Sequence, residues 1–425
     1  FAIAEIPPLN ILAGGGPPIP DEGLSVDFSA SGVDLHPLDE MPVVHNADMK
    51  GHVSGRTVKV TIGQGSVDTP GGRKLTISDV LFQVPDLVPK PAPASVRFRI
   101  DGPVPAAAEI LQSDRLKDVS GNMIDPATSK GNVAAVITLN MPLKTALTKE
   151  DTKYSVNVDL GAISIDKLAM NQKLEANALK LVADNQGYRV KGDVKIAGQP
   201  ASIDYHKDAD GDADIRLAAT LDDNARAKLG VDLGPSVSGA IPVKISGKLG
   251  GDDSKLGVEA DLTPAKVDNI LPGWTKLAGK AGRITFNVVH KPQGTRFEDV
   301  VIDGSGTSIR GTVEVDQNND LVSAVFPTFS PSEGDKASLR AERTSDGSLK
   351  VTLRGDVFDG RGFIKSALSG STKSNAAKST VKLDNFDVDA KLGAIAGYYG
   401  EALRSVDLKL SRRAGTNRAF SLSGK

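Results

Sequence analysis

The chain has 425 residues, a formal net charge of −2 from 51 basic and 53 acidic residues, and no cysteine. The lack of cysteine excludes disulfides, thiol catalysis and zinc–thiolate sites, and the balanced charge gives no global argument for nucleic acid or an anionic membrane surface as a partner. Only 4% of the residues are aromatic, so the 39% hydrophobic content is mainly Val, Ile, Leu and Ala. This composition suits strands that present small apolar side chains on one face.

Apolar and polar residues alternate through most of the chain, and this period-two pattern predicts strands with one apolar and one polar face. Alternation is typical of antiparallel sheets, because strands buried on both faces of a parallel sheet show continuous apolar runs instead. The alternating apolar residues are, in chain order, Val26 and Phe28; Val58, Val60 and Ile62; Val96, Phe98 and Ile100; Val156, Val158 and Leu160; Val190, Val194 and Ile196; Ile284, Phe286 and Val288; Ile309, Val313 and Val315; and Leu349, Val351 and Leu353.

Short polar segments separate these runs and predict hairpin turns. The clearest are Asp184–Gly187, Asp316–Asp320 and Ser345–Gly347. The sequence therefore predicts a mainly β chain: an elongated antiparallel meander of on the order of twenty-five strands.

Four segments carry helix signals. Pro103–Val119 has proline at its start and Gly121 beyond its end, and Leu221–Leu229 has acidic residues early and basic residues late. Thr263–Leu271 opens with Thr-Pro, an N-cap followed by proline at the first helical position, and Phe363–Leu368 is the weakest candidate. We expect a few short helices between the strands.

The acidic segment 208–214 has a carboxylate at every second position and superficially resembles a calcium loop. A calcium loop needs glycine at the sixth place and glutamate at the twelfth, whereas here Gly211 is fourth and Ala219 is twelfth. We therefore interpret Asp208–Asp212 as a polar turn and predict no metal site.

No catalytic motif is evident either. The histidines are isolated, with His45 and His52 seven residues apart in strand-like sequence, and Gly234–Gly239 does not match the GxSxG nucleophile elbow. Paired carboxylates such as Glu298-Asp299 leave a carbohydrate-active enzyme open but unsupported. We interpret Trp274 as an aromatic plug at the end of a helix, and we expect neither enzymatic activity nor a cofactor.

Several stretches resemble the AsmA-like envelope family. The strongest is Asp384–Lys425, which contains GYYGEALRSVDLKLSRR and FSLSGK; further matches are Gly355–Arg361, Asp303–Gly311 and Val237–Lys248. The resemblance covers most of the chain from about Asp101 onward, and its motifs are fold patterns without catalytic residues.

This resemblance implies a periplasmic protein tethered to the inner membrane, with its anchor outside this sequence. The implied fold is a repeating β-groove, in which the meander curls into an apolar trough. The implied role is to help phospholipid move between the inner and outer membranes and to maintain the outer-membrane barrier. Phospholipid acyl chains would be the ligand, and envelope proteins at either membrane would be further partners.

A helix, a glycine-bounded turn and an alternating strand recur near 103–143, near 221–249 and in part near 263–290. We therefore divide the chain into four segments. They are a partial β-groove segment, 1–102; two units of helix plus β-groove repeat, 103–235 and 236–383; and the truncated start of a further AsmA-like repeat, 384–425.

Alternation alone does not distinguish a ligand-filled trough from a sandwich or barrel filled by its own side chains, and the resemblance favours the trough. A scaffold that assists assembly of outer-membrane proteins through edge strands is the main alternative. For the trough, we expect the lining to consist of Val96, Phe98, Ile100, Ile284, Phe286, Val288, Ile309, Val313, Val315, Val351 and Leu353.

Overall fold

A computed structural model describes residues 19–36, 42–113, 124–144, 147–148, 150–169, 172–196, 198–231, 233–249, 255–268, 274–361, 385–414 and 416–425. The chain divides into two compact units, Phe1–Gly211 and Asp212–Lys425. The four sequence-based segments stay a prediction.

Unit 1 is a ten-strand antiparallel meander, in which each strand pairs with the next along the chain. A helix, α1 (Val104–Leu111), follows the fifth strand. The strands are β1 (Ser25–Leu35), β2 (Val44–Ser54), β3 (Val58–Asp68), β4 (Lys74–Val84), β5 (Pro93–Pro103), β6 (Ser129–Pro142), β7 (Lys153–Ala169), β8 (Gln172–Asp184), β9 (Gly187–Ile196) and β10 (Gln199–Asp208).

Unit 2 contains a twelve-strand meander and a separate small sheet of β12, β15 and β16. Its helix is α2 (Asp223–Lys228). The strands are β11 (Ala213–Leu221), β12 (Val237–Ser238), β13 (Ile241–Leu249), β14 (Lys255–Asp261), β15 (Lys266–Asp268), β16 (Thr275–Lys276), β17 (Arg283–Lys291), β18 (Gly294–Gly304), β19 (Thr307–Asp316), β20 (Leu321–Ser330), β21 (Lys336–Arg343), β22 (Leu349–Asp359), β23 (Phe386–Ala396), β24 (Ala402–Arg413) and β25 (Thr416–Ser423).

The prediction of a mainly β antiparallel meander with a few short helices is confirmed. The three predicted hairpins join β8 to β9, β19 to β20 and β21 to β22. One pair departs from the pattern: β22 and β23 run parallel, and most of the connection between them lies outside the described residues.

Two of the four helix predictions are confirmed for part of the predicted range. Helix α1 lies within Pro103–Val119, of which 114–119 is outside the described residues, and α2 lies within Leu221–Leu229. Helix α2 begins as its charge pattern predicts, since the Asp222 carboxylate accepts a hydrogen bond from the Ala225 amide at 2.7 Å.

The helix predicted over Thr263–Leu271 is wrong for the part that the structure describes. Thr263 lies in a turn, and β15 follows directly, pairing with β12 and β16. Val267 is buried at the centre of this small sheet, so its burial outweighs the local N-cap signal. Residues 269–271 and the candidate helix Phe363–Leu368 lie outside the described residues.

Bulges bend several strands in mid-length. Asp79 in β4 and Asp299 in β18 have φ values of 54° and 51°, and the register of their strands shifts beside them. Aspartate and asparagine adopt this left-handed conformation more readily than most residues, and a bulge bends its strand and increases its twist. Asn46 in β2 repeats the arrangement with a φ of 55°. The sheet strands are therefore bent ribbons.

Candidate functional site

In unit 1, one face of the sheet is apolar across seven strands. Directly paired residues of antiparallel strands point to the same face, so the register connects them into a row. One row through Ile100 consists of Ile77, Ile100, Ala135, Val158, Leu181, Val190 and Tyr205, from β4 to β10.

The other two predicted residues of this unit lie on the same face as Ile100. Phe98 pairs with Ile137 in β6, and Val96 pairs with Leu139. Phe98 and Val96 are half-buried, whereas Arg97, which lies between them, is exposed on the opposite face. Strand β7 repeats this alternation, with Val156 and Val158 half-buried and Asn157 exposed.

Helix α1 covers one border of this face, which we call the helix margin (Val44, Val67, Leu75 and Val133). Ala106 of α1 is buried among Val44, Val67 and Leu75, and Val104 packs on Val133. The helix is held by Glu109, which accepts hydrogen bonds from the Gly71 amide at 3.0 Å, the Thr69 hydroxyl and the Arg73 guanidinium. The middle of the face keeps its half-buried character.

In unit 2, the apolar face is longer. A single row crosses ten strands, from β14 to β25, without a polar residue. Its two alanines are buried, its last member is 64% exposed, and the others are half-buried. The row consists of Leu256, Val288, Phe297, Val313, Ala324, Ala341, Val351, Val388, Leu410 and Phe420.

The remaining predicted residues of unit 2 lie on the same face. Phe286 contacts Phe297 edge-to-face, with ring centroids 5.6 Å apart, and Leu353 pairs with Leu339. Ile284 and Val315 are half-buried, but Ile309 is fully buried. Ile309 therefore lies inside the packed core of the unit.

Ile309 belongs to a border of the face that we call the plugged margin (Trp274, Ile309, Phe329 and Phe358). Phe329 and Phe358 stack at 6.2 Å between ring centroids, and Trp274 is 4% exposed beside the small sheet. Trp274 is buried, as expected for a plug, and lies immediately before β16; residues 269–273, which precede it, lie outside the described residues. This margin is closed by the protein's own side chains.

A buried lysine fixes the segment that carries the plug. Lys276 is 4% exposed, and its Nζ donates hydrogen bonds to the carbonyl oxygens of Ala265 and Lys280, both at 2.8 Å, and of Leu277 at 3.0 Å. Burial lowers the pKa of this amine. The carbonyl groups hold the loop before β17 against the sheet.

The opposite face of unit 2 is polar and carries cross-strand ion pairs. Arg296 contacts Glu314 at 3.3 Å, and Arg354 contacts Asp389 at 3.0 Å. Thr285 and Thr312 occupy this face between apolar neighbours. The sheet therefore has one face suited to water and one suited to hydrocarbon.

The histidines and the acidic segment form no metal cluster within the described residues. His45 and His52 each bond a carboxylate of the adjacent strand, Asp34 at 2.9 Å and Asp27 at 2.8 Å. His206 contacts Asp208 at 2.9 Å. These contacts are cross-strand or local pairs at the polar surface.

In unit 1, Tyr188 and Tyr205 lie with ring centroids 5.8 Å apart, and burial raises the pKa of Tyr188.

Sequence reasoning missed the bulges and one border of the face in unit 2. The bulge at Asp299 interrupts the alternation between Phe297 and Val300, and that break in period was the available signal. Arg412 continues the spacing of Leu408 and Leu410 in β24, so its position on the apolar face was also readable from the sequence.

No described helix is long and apolar enough to cross a membrane. Comparisons with family models, curated proteins and solved structures found no match to this chain.

Proposed function

We propose that this chain is a non-enzymatic lipid conduit, in which the apolar faces of the two units hold phospholipid acyl chains. The observation that carries the proposal is the ten-strand row in unit 2, which is apolar throughout yet remains half-buried along most of its length. In a self-filled sandwich, the inner-face residues would be buried by a second sheet. Within the described residues, the second sheet of this unit is the small one of β12, β15 and β16, and it lies at the plugged margin.

The energetics favour such a face as a lipid path. Each methylene removed from water contributes about 0.8 kcal/mol, so a sixteen-carbon chain exposed to water costs on the order of 12 kcal/mol. A row of apolar side chains that continues from strand to strand offsets this cost along its length. Small half-buried side chains such as Val313, Val351 and Val388 leave part of the face accessible to an acyl chain.

The resemblance to AsmA-like envelope proteins supports the cellular setting. On this proposal the protein works in the periplasm, tethered to the inner membrane, and helps phospholipid reach the outer membrane. A lipid conduit needs no catalytic group on its path. The ion pairs described above lie on the polar face of unit 2, where they link neighbouring strands.

The test is a lipid-transfer assay between donor and acceptor vesicles with charged variants of unit 2. Phe286→Asp and Val313→Asp place a carboxylate on the apolar face, and we expect each to reduce the transfer rate by about tenfold or more, because burying an unpaired charge costs several kcal/mol. The controls are Thr285→Asp and Thr312→Asp, which put the same charge next in sequence but on the polar face.

Thermal unfolding of all four variants shows whether they fold. Folded face variants that transfer lipid as fast as the wild type would contradict the proposal, as would an equal loss in the two controls.

A scaffold for envelope-protein assembly is the second candidate, favoured by β25. Within the described residues this strand pairs only with β24, and Phe420 and Leu422 are 64% and 48% exposed. Such an edge is suited to β-strand addition by a partner. A stable complex with an outer-membrane barrel protein that forms without lipid would favour the scaffold over the conduit.

A further inference from the structure

At one border of the apolar face in unit 2, two arginines flank the hydrocarbon surface. The register places Arg343, Leu349, Phe386 and Arg412 in one row across β21, β22, β23 and β24. We call this row the arginine margin. It lies at the opposite ends of the strands from the plugged margin, and the side chains of Val388 and Leu410 lead from it into the ten-strand row.

Each of the two guanidinium groups is held by uncharged groups, so its positive charge is not neutralised. Arg343 donates from Nε to the Leu321 carbonyl at 2.9 Å and from Nη1 to the Gly347 carbonyl at 3.3 Å. The Arg412 guanidinium carbon lies 5.9 Å from the centroid of the Phe386 ring. Its Nε is buried without a hydrogen-bond partner.

The neighbouring arginines differ in this respect. Arg340 pairs with Glu342, Arg354 pairs with Asp389, and Arg413 binds both oxygens of Asp387 at 2.9 and 2.8 Å. Among the residues that the structure describes, neither Arg343 nor Arg412 has a carboxylate partner. The positive charge at this border is therefore concentrated on the apolar side of the sheet.

Two carboxylates near this border are bonded within their own turns and form no ion pair with Arg343 or Arg412. Asp346 in the β21–β22 turn accepts hydrogen bonds from the hydroxyls of Thr344 and Ser348, and Asp316 accepts from the amides of Asn318 and Asp320. Arg418, exposed in the edge strand β25 two residues before Phe420, adds further positive charge.

We propose that the arginine margin binds the phosphate of an anionic phospholipid while the acyl chains of the same molecule lie on the apolar face. This inference rests on the proposed lipid-conduit function and specifies its ligand class. A guanidinium presents paired N–H donors that match phosphate oxygens, and arginine is less strongly hydrated than lysine. Three strand spacings separate the backbones of Arg343 and Arg412, about 14 Å. Arg412 lies over Phe386, and Arg343 bonds the Leu321 carbonyl in β20, so the two guanidinium groups border the hydrocarbon of Leu349 and Phe386 on its two sides.

The orientation follows from the two borders of the face. The plugged margin is closed by aromatic side chains, so a charged headgroup would be desolvated there without a partner. The arginine margin offers cations beside hydrocarbon, which is the arrangement that an amphiphile with an anionic head requires. Lipids would therefore pass along the row with their headgroups directed to the same border.

The test compares capture of two fluorescent lipids with identical acyl chains, phosphatidylglycerol and diacylglycerol, by the full chain. We expect the wild type to prefer phosphatidylglycerol by about tenfold, the gain typical of charge-assisted hydrogen bonds. The double variant Arg343→Gln/Arg412→Gln should lose this preference while capturing diacylglycerol normally. Arg412→Lys should keep part of it, because the charge remains but the paired donors do not. Arg340→Gln, which removes a paired arginine of the polar face three residues from Arg343, is the matched control.

The outcomes separate this inference from the conduit proposal. Capture of both lipids with no headgroup preference, or a preference that survives in the double variant, would overturn the arginine margin and leave the conduit standing. Capture of neither lipid by the wild type would overturn both. Inorganic phosphate is the remaining probe: calorimetric binding of phosphate as tight as that of phosphatidylglycerol would assign the margin to free anions and overturn the headgroup proposal.

Discussion

The two units carry the same alternating face but stabilise it by different means. Three of the four largest fully buried side chains of the described structure, Phe329, Ile309 and Val267, lie in unit 2, whereas unit 1 contributes only Val84. Unit 1 instead covers its helix margin with α1, which Glu109 holds by polar contacts. An apolar sheet face can therefore be bordered either by aromatic packing or by a docked amphipathic helix, while its middle remains half-buried in both units.

The largest expected effect tests the aromatic packing of unit 2. Phe329→Ala removes a ring that is 1% exposed and stacked on Phe358, so we expect unit 2 to lose about 3–5 kcal/mol of unfolding free energy. Phe98→Ala in unit 1 removes a half-buried ring and should cost about half as much. Native-state hydrogen exchange, read separately for β19–β21 and β5–β7, measures the two losses. Equal losses would mean that the faces of the two units are packed alike.

The next effect tests the docking of α1 in unit 1. Glu109→Gln keeps the shape of the side chain but removes the charge that faces Arg73, Thr69 and the Gly71 amide. We expect the local opening free energy of Val104–Leu111 to fall by about 1–3 kcal/mol, the range for a half-buried charged hydrogen-bond acceptor. Amide exchange of α1 measures this change. The control is Leu111→Ala, a 42% exposed residue of the same helix, which should change it little.

The smallest effect compares one carboxyl group in each unit. Asp151 in unit 1 has its pKa lowered to about 2, first by the Lys144 ammonium at 2.5 Å and then by Thr148. Asp346 in unit 2 also has its pKa lowered to about 2, first by the hydroxyls of Thr344 and Ser348. Salt screens ion pairs more than hydrogen bonds to neutral groups. In an NMR titration, 1 M salt should therefore raise the pKa of Asp151 more than that of Asp346.

The same pair predicts a pH dependence. A carboxyl group whose folded pKa lies below its unfolded value stabilises its turn at pH values above the unfolded pKa. This contribution is lost as the pH falls from about 4 through about 2. The protection factor of the Ser348 amide, which is the intrinsic exchange rate at each pH divided by the observed rate, should therefore stay constant down to pH 4 and fall below it. In Asp346→Asn this acid-dependent fall should disappear. A fall of the protection factor near pH 6 in the wild-type protein would contradict the assignment.

The alternation of Val96, Phe98 and Ile100 was enough to predict which side chains share a face, because side-chain direction in a strand depends on period two alone. The bulge at Asp79 was not predictable in the same way, since an aspartate at a polar strand position is also an ordinary surface residue. Thr263-Pro264 carried a helix signal that the burial of Val267 in a three-stranded sheet overrode. Local sequence gives no information about such a distant partner.

The closure of the plugged margin and the charge of the arginine margin depend on pairing between distant strands. Phe329 and Phe358 come together only through the register of β20, β21 and β22. Arg412 meets Phe386 because β23 runs parallel to β22 and antiparallel to β24. A repeated period-two pattern specifies a face but leaves these neighbours undetermined, so the neighbours of Phe329 and Arg412 emerged only with the fold.

The most direct test of the lipid-conduit proposal is site-specific photo-crosslinking in cells with a genetically introduced photoreactive residue. The paired positions are Phe98 and Arg97 in β5 of unit 1, and Phe286 and Thr285 in β17 of unit 2, each pair adjacent in sequence and on opposite faces. The proposal predicts phospholipid adducts from Phe98 and Phe286 and none above background from Arg97 and Thr285. Equal adduct formation from both members of each pair, or none from the apolar positions, would contradict it.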